Sequence, residues 1–246
     1  MGLNNTDLAG QDYWNDSYKG FELRIAEPSD AVRQLIERHA QRFSGTAFEI
    51  GCYPGRYLAA LGLLGFELNG VDQAVEMDSA FRDWLVRQGF RVGQIERGDF
   101  LRDSASEVYD LVCSFGFIEH FTNWEEVLIR HTQYVKPGGG LIVTAPNFAS
   151  GIQKALHAWL DSENVRRHHL AAMRPGAWKG VLDTQGFEVI WCGYFGRFDF
   201  WVDNQKRNQI QKLGLSATKR LRRLLALLPS GKWGAPYCGI VARRRP

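Results

Sequence analysis

A chain of 246 residues, 45% hydrophobic and 23% charged, has the composition of an ordinary globular protein and excludes disordered, collagenous and disulfide-scaffold classes. The formal charge of +3 hides an asymmetry, because from Asn204 onward there are eleven Lys or Arg and no Asp or Glu. The first 203 residues therefore carry 19 basic against 27 acidic groups, which argues against a nucleic-acid-binding body.

In chain order, an apolar run at 47–51 (AFEIG) predicts a first strand ending in a glycine loop, and YLAALGLLGF after it has helical spacing. FELNGVD (66–72) predicts a second strand that ends on an acid. A helix is expected over 74–90, with Phe81 and Leu85 on its apolar face and Gly89 as its stop. A short third strand, RVGQI (91–95), leads to GDF. YDLVCSFGF (109–117) predicts the fourth strand. Thr122 is placed as the N-cap of the next helix, with Glu125 completing a capping box. KPGGG (136–140) reads as a turn before a fifth strand, LIVTAP (141–146). GFEVIWCGYF (186–195) and APYCGIVARR (235–244) predict two late strands. Strands alternating with helices over the first 146 residues give an α/β, doubly wound, mostly parallel sheet, and runs that are apolar throughout suit its centre.

Such sheets bind ligands beyond the carboxyl ends of their strands. The predicted tips are Gly51, Asp72, Asp99-Phe100, Ser114-Phe115-Gly116 and Ala145-Pro146. A carboxylate at the second tip can accept both hydroxyls of a ribose. An acid followed by an aromatic, as in GDF, can bond an adenine amino group and stack on its ring. Loop glycine, ribose acid and GDF at these intervals form a more specific series than any one of them.

EIGCYPG, GVDQ and GDF, followed by YDLVCSFGFIEHF and VKPGGGLIVTAPN, resemble the motifs of the class I S-adenosylmethionine-dependent methyltransferases. The resemblance runs from about Tyr13 to Phe148 and returns in the last two strands. It implies seven strands in the order 3-2-1-4-5-7-6 with the last antiparallel, helices on both faces, and one domain over 1–246. That domain would carry an N-terminal cap (1–45), a helical insert (148–180) and a basic helical insert (197–234). It implies S-adenosyl-L-methionine as cofactor and S-adenosyl-L-homocysteine as product. Tyr13 and Trp14, in DYWNDSY, would close over the cofactor. Glu49 would contact its methionine end indirectly, and Gly51, Cys52, Tyr53 and Gly55 would surround that end. Asp72, followed by Gln73, would hold the ribose, Asp99 and Phe100 the adenine, and Ser114, Phe115, Gly116 and Phe117 would flank the sulfonium.

A dinucleotide-dependent oxidoreductase is the rival, since it too uses a glycine loop and a ribose acid. Its G-x-G-x-x-G fingerprint loses two glycines here, with Gly51, Tyr53 and Arg56 at the three positions. A non-catalytic cofactor-binding scaffold is the other alternative. Tyr53 stands where the loop would ordinarily have glycine. Pro54 pushes its predecessor toward extended geometry with negative φ, so tyrosine is tolerated there, and Pro54 also suits a helix entry.

Methyl transfer to a hydroxyl benefits from a base. His120, beyond the fourth strand, is the candidate, against the alternatives of a pocket wall or a helix cap. His168 and His169 lie in the first insert, where acceptor contacts are expected; no carboxylate–histidine set is evident, so no metal is expected. In the second insert Leu221, Leu224, Leu225 and Leu228 share one helical face, with Lys219, Arg220, Arg222 and Arg223 around it. A helix lidding the sheet with its charges in water is the plain expectation. An anionic or lipid-linked acceptor, or peripheral membrane contact, is the alternative. The small-molecule acceptor is expected to be methylated on oxygen more readily than on nitrogen, without nucleic acid; oligomeric state is not legible.

Cys52, Cys113, Cys192 and Cys238 are far apart, without CxxC spacing, and read as buried free thiols in a reducing, cytoplasmic setting. No apolar run approaches the ~20 residues that span a bilayer. The start lacks the features of a secretory signal, and MGLNNT fits a short, weak myristoylation pattern.

Overall fold

The computed structural model describes residues 7–77, 79–103, 107–227 and 231–246; the MGLNNT pattern and Leu228 lie outside them. Seven strands form one sheet: β1 (Thr46–Ile50), β2 (Glu67–Asp72), β3 (Val92–Arg97), β4 (Tyr109–Phe115), β5 (Val135–Pro146), β6 (Phe187–Phe195) and β7 (Tyr237–Arg244). Their order is β3-β2-β1-β4-β5-β7-β6. β1 to β5 run parallel, while β7 is antiparallel to both β5 and β6, as expected. The order reverses at β1, which pairs β2 on one side and β4 on the other, so the crevice of such sheets opens there.

Side chains on the central strands alternate between two cores. Phe48, Val112, Leu141, Val143 and Ile240 pack on one face; Ala47, Leu111, Cys113, Ile142 and Val241 pack on the other. The period of two, with both faces buried, explains why these strands read as unbroken apolar runs. The first face is covered by α5 (Trp124–Gln133) and α8 (Pro175–Thr184), whose Trp178 and Leu182 are fully buried. The second is covered by α2 (Ala31–His39), α3 (Arg56–Leu63) and α4 (Ser79–Arg87). A short helix, α1 (Gln11–Tyr18), lies in the N-terminal cap and has no fully buried residue. The first insert folds as α6 (Gly151–Leu160), α7 (Ser162–Arg166) and a 3₁₀ turn before α8. The second contributes α9 (Gln209–Leu225), opened by an Asn208–Gln211 capping box. Among the described residues no helix is long and apolar enough to cross a membrane.

Four local expectations change. The helix expected over 74–90 begins only at Ser79, because the Asp72 carboxylate accepts from the Ala74 amide at 2.8 Å and holds the chain in a turn. α5 is capped by Asn123 rather than Thr122, and the Asn123 side-chain amide donates to Glu126 instead of a Thr122–Glu125 box forming. KPGGG is continuous with β5, not a separate turn. Pro54 does not open α3: Gly55 is its N-cap at φ +83°, and a Cβ there would collide with the Phe81 ring. Both the left-handed backbone and the close approach demand glycine at 55.

Candidate active site

Beyond the carboxyl ends of β1, β2 and β4 lies a cavity of about 380 Å³, of a size that holds a small ligand or cofactor. Most of the residues singled out from the sequence line it: Trp14, Glu49, Gly51, Cys52, Tyr53, Gly55, Asp72, Gln73, Asp99, Phe100, Phe115, Gly116 and His120. Gly51, at φ +71°, turns the chain out of β1, and a Cβ there would lie 3.0 Å from Phe117. The loop backbone is thereby laid bare to the cavity. Tyr53 has negative φ, as the Pro54 argument requires. Its ring meets Tyr18 edge-on at 5.1 Å and Phe81 at 5.5 Å, so the phenol belongs to an aromatic wall.

Two expected residues point elsewhere. Ser114 is fully buried, and its hydroxyl meets His131 Nε2 at 2.9 Å. It is the neighbour of Phe115 on a strand, where successive side chains face opposite ways. Tyr13 sits one residue from Trp14 on α1, about 100° around the helix. Its hydroxyl donates to Asp203 at 2.8 Å and its ring stacks under the Arg167 guanidinium at 4.2 Å. The face of α1 toward the cavity is Gln11, Trp14 and Tyr18, at i, i+3 and i+7. That spacing was available in the sequence and would have replaced Tyr13 by Tyr18. Phe117 lines the cavity too, and so do Arg56 and Tyr57, which the sequence did not single out.

The polar groups divide into two ends. At the first, Asp72 accepts from the Tyr53 amide at 2.9 Å through one oxygen and from Ala74 through the other. Burial lifts its pKa to about 6, with the two amides opposing the rise. Glu49 is buried; burial first, then the Asp72 charge, push its carboxyl well above the ordinary range. Its Oε2 is buried without a protein partner. An orphaned buried acceptor on a cavity wall marks a place for a ligand N–H.

At the second end, the turn that carries His120 is held by two segments, the N-terminal cap and the first insert. The His120 Nδ1 lies 2.9 Å from the Arg167 carbonyl, the His120 carbonyl accepts from the Leu8 amide, and the His169 amide donates to the Glu119 carbonyl. A carbonyl only accepts, so Nδ1 carries the proton and Nε2 keeps its lone pair. Trp14 meets the imidazole edge-on at 4.9 Å and His168 lies beside it at 4.5 Å. Burial lowers His120 to about 4 and raises the neighbouring Glu119 to about 8. At neutral pH the pair is therefore an uncharged base beside an uncharged acid, with Glu119 Oε1 at 4.0 Å from His120 Nε2. Ligand-capable atoms of Glu119, His120 and His168 lie within 4.8 Å of one another. This carboxylate–histidine set, invisible in the sequence because His168 is 48 residues away, is the one among the described residues that could hold a cation.

Residues 22–191 match the methyltransferase-domain family. The chain belongs to that family. A ubiquinone biosynthesis O-methyltransferase of Rickettsia prowazekii is 21% identical to this methyltransferase domain over 151 residues, 59% of this chain and 58% of that protein. The matches to curated relatives thus span about six-tenths of their length. Among solved structures, a SAM-dependent methyltransferase from Archaeoglobus fulgidus superposes with TM-score 0.54 at 19% identity, covering 87% of this chain and 93% of that one. An N-methyltransferase of Haemonchus contortus, solved with phosphomonomethylethanolamine and S-adenosylhomocysteine, gives 0.55 at 16%, covering 87% and 53%. These superpositions share the fold. The family's methyl donor is S-adenosyl-L-methionine, and the cavity suits it: a bare glycine loop, an orphaned Glu49 oxygen for an ammonium, and a carboxylate at the β2 tip. No phosphate cradle is needed, in keeping with tyrosine at 53.

Proposed function

We propose that the protein transfers a methyl group from S-adenosyl-L-methionine to a hydroxyl of a small-molecule acceptor, with His120 as the general base. The observation that carries this reading is the uncharged Nε2 of His120 at one end of a cavity whose other end presents Glu49, Asp72 and the glycine loop. The cofactor supplies a methyl group already activated on a sulfonium, so the protein's share is positioning and desolvation. Asp72 accepts the ribose hydroxyls, Asp99 and Phe100 bracket the adenine, and Glu49 takes the ammonium of the methionine end. Arg56, the one Arg or Lys on the described wall, faces the carboxylate of that end. Phe115, Gly116 and Phe117 flank the sulfonium, and Trp14 and Tyr18 roof it.

The acceptor enters on the side of His120 and the first insert. As its hydroxyl loses a proton to Nε2, the Nδ1–H bond to the Arg167 carbonyl fixes the ring. Oxygen as the acceptor atom is further supported by the curated relatives' being named O-methyltransferases, although the Haemonchus neighbour is an N-methyltransferase.

Calorimetric titration of the protein with S-adenosylhomocysteine and with NAD tests the cofactor, and turnover across phenolic, alcoholic and amine acceptors tests the chemistry. Binding of S-adenosylhomocysteine that weakens in Asp72→Ala, with methyl transfer to a hydroxyl lost in His120→Ala, is the expected result. Binding of NAD alone overturns the cofactor, and unimpaired hydroxyl methylation in His120→Ala overturns the base.

A further inference from the structure

Three leucines of α9, Leu213, Leu221 and Leu224, face the wrong way for a lid. At ~100° per residue, Ile210, Leu213, Leu221 and Leu224 fall within roughly 80° of arc on that helix. They are 69%, 71%, 48% and 64% exposed, and Leu227, in the turn that follows, is 80% exposed. The helix packs through a different face: Thr218 is buried, and Leu215 and Leu225 pack against the cluster of Leu160, Phe198 and Phe200. Burial of the core therefore does not account for the second apolar stripe.

Basic residues border that stripe. Arg220 and then Arg223 follow round one flank of it, with Lys212 and Lys219 on the far side of the helix; among the described residues none of the four forms an ion pair with an acid, while Arg222 reaches Asp199 at 3.3 Å. Trp159 of α6, 46% exposed, lies against Gly214 beneath the helix, and Trp233 is 79% exposed. A helix with one face docked on its own protein, a second apolar face in water and a cationic border has the build of an in-plane interfacial helix. The absence of any acid after Asn204 sets the charge of the complementary surface as negative.

We propose that α9 docks the protein on an anionic lipid surface, with Ile210, Leu213, Leu221 and Leu224 entering the headgroup–acyl boundary and Arg220 and Arg223, on the flank of that stripe, reaching lipid phosphates. The docking is peripheral and reversible, and it stands independently of the methyl-transfer chemistry. Both terms are required: apolar burial supplies part of the free energy, and each basic group adds roughly fivefold in partitioning near an anionic leaflet.

Co-sedimentation of the full-length protein with phosphatidylcholine vesicles and with equimolar phosphatidylcholine–phosphatidylglycerol vesicles tests this. Partitioning onto the anionic vesicles at least tenfold above the neutral ones is expected. It should fall at least tenfold in Leu213→Gln/Leu224→Gln and about fivefold for each of Arg220→Gln and Arg223→Gln. All four positions are exposed, so thermal melting of each variant should match the parent. Equal partitioning onto both vesicles, or none, overturns the proposal. So does binding that depends on the basic residues but ignores the leucines, particularly if a labelled DNA duplex binds equally well. Light scattering that reveals a dimer abolished by the leucine changes overturns it in favour of a second copy of the chain.

Discussion

Replacing Glu119 by glutamine substitutes, at nearly constant shape, the uncharged form that the site already imposes. The carboxyl is 1% exposed, and burial moves it from an ordinary 4.5 to about 8 in the folded protein. Below pH ~4.5 it is protonated both folded and unfolded and imposes no penalty. Between ~4.5 and about 8 the unfolded chain releases the proton and the folded one retains it, so stability falls as pH rises. Over that window the loss is on the order of 5 kcal/mol, from ~1.36 kcal/mol for each pH unit. Near pH 7 it already amounts to roughly 3 kcal/mol. The substituted amide titrates in neither state, so E119Q should match the parent near pH 4.5 and exceed it by about 3 kcal/mol near pH 7. Urea denaturation of both proteins at intervals from pH 4.5 to 8.5 measures the difference directly, and the opposing titration of His120 is common to both. A difference that stays flat with pH, or a variant less stable at pH 7, would refute the placement of Glu119 as a buried neutral acid.

His120→Ala should lower kcat at least ~100-fold for a hydroxyl acceptor and leave S-adenosylhomocysteine affinity within a few-fold, read by steady-state kinetics and calorimetry. In the proposed site an ionised Asp72 accepts both ribose hydroxyls, which the protonated acid does less well. With its pKa raised to about 6, S-adenosylhomocysteine binding should weaken roughly tenfold per pH unit below that value, and Asp72→Asn should abolish this dependence. Gly55→Ala imposes a left-handed backbone on alanine and drives a Cβ into Phe81. A loss of roughly 2–4 kcal/mol in urea denaturation is expected, part of which Phe81→Leu should restore. A loss below ~1 kcal/mol would mean that the loop relaxes freely.

The sheet was legible because both its faces are buried, so β1, β4 and β5 announce themselves as apolar runs, and its tips carry Gly51, Asp72 and Asp99-Phe100. The Glu49–Asp72 end of the cavity follows from those tips and needs no long-range knowledge. Errors arose where direction, not position, decided the outcome. Ser114 and Phe115 are adjacent on a strand and face opposite ways; Tyr13 and Trp14 are adjacent on a helix and diverge by about 100°. The leucines of α9 kept their helical period, but the period alone could not say that α6 takes a neighbouring stripe. Glu119 was passed over because a carboxyl next to a histidine in sequence gives no sign of being sealed from water. That sealing comes from the insert, whose His169 amide and Arg167 carbonyl close over the turn.

The latch formed by Tyr13, Arg167 and Asp203 joins three parts of the chain that are remote in sequence: the cap helix, the first insert and the approach to α9. Arg167 offers its guanidinium to that latch and its backbone carbonyl to His120. Roof, acceptor wall and imidazole are therefore mechanically one piece, and the inserts are not interchangeable cassettes. Grafting the 148–180 segment onto another methyltransferase would carry an orphan arginine without its aspartate and phenol. The segments joined by that latch must be transplanted together, or diversified together.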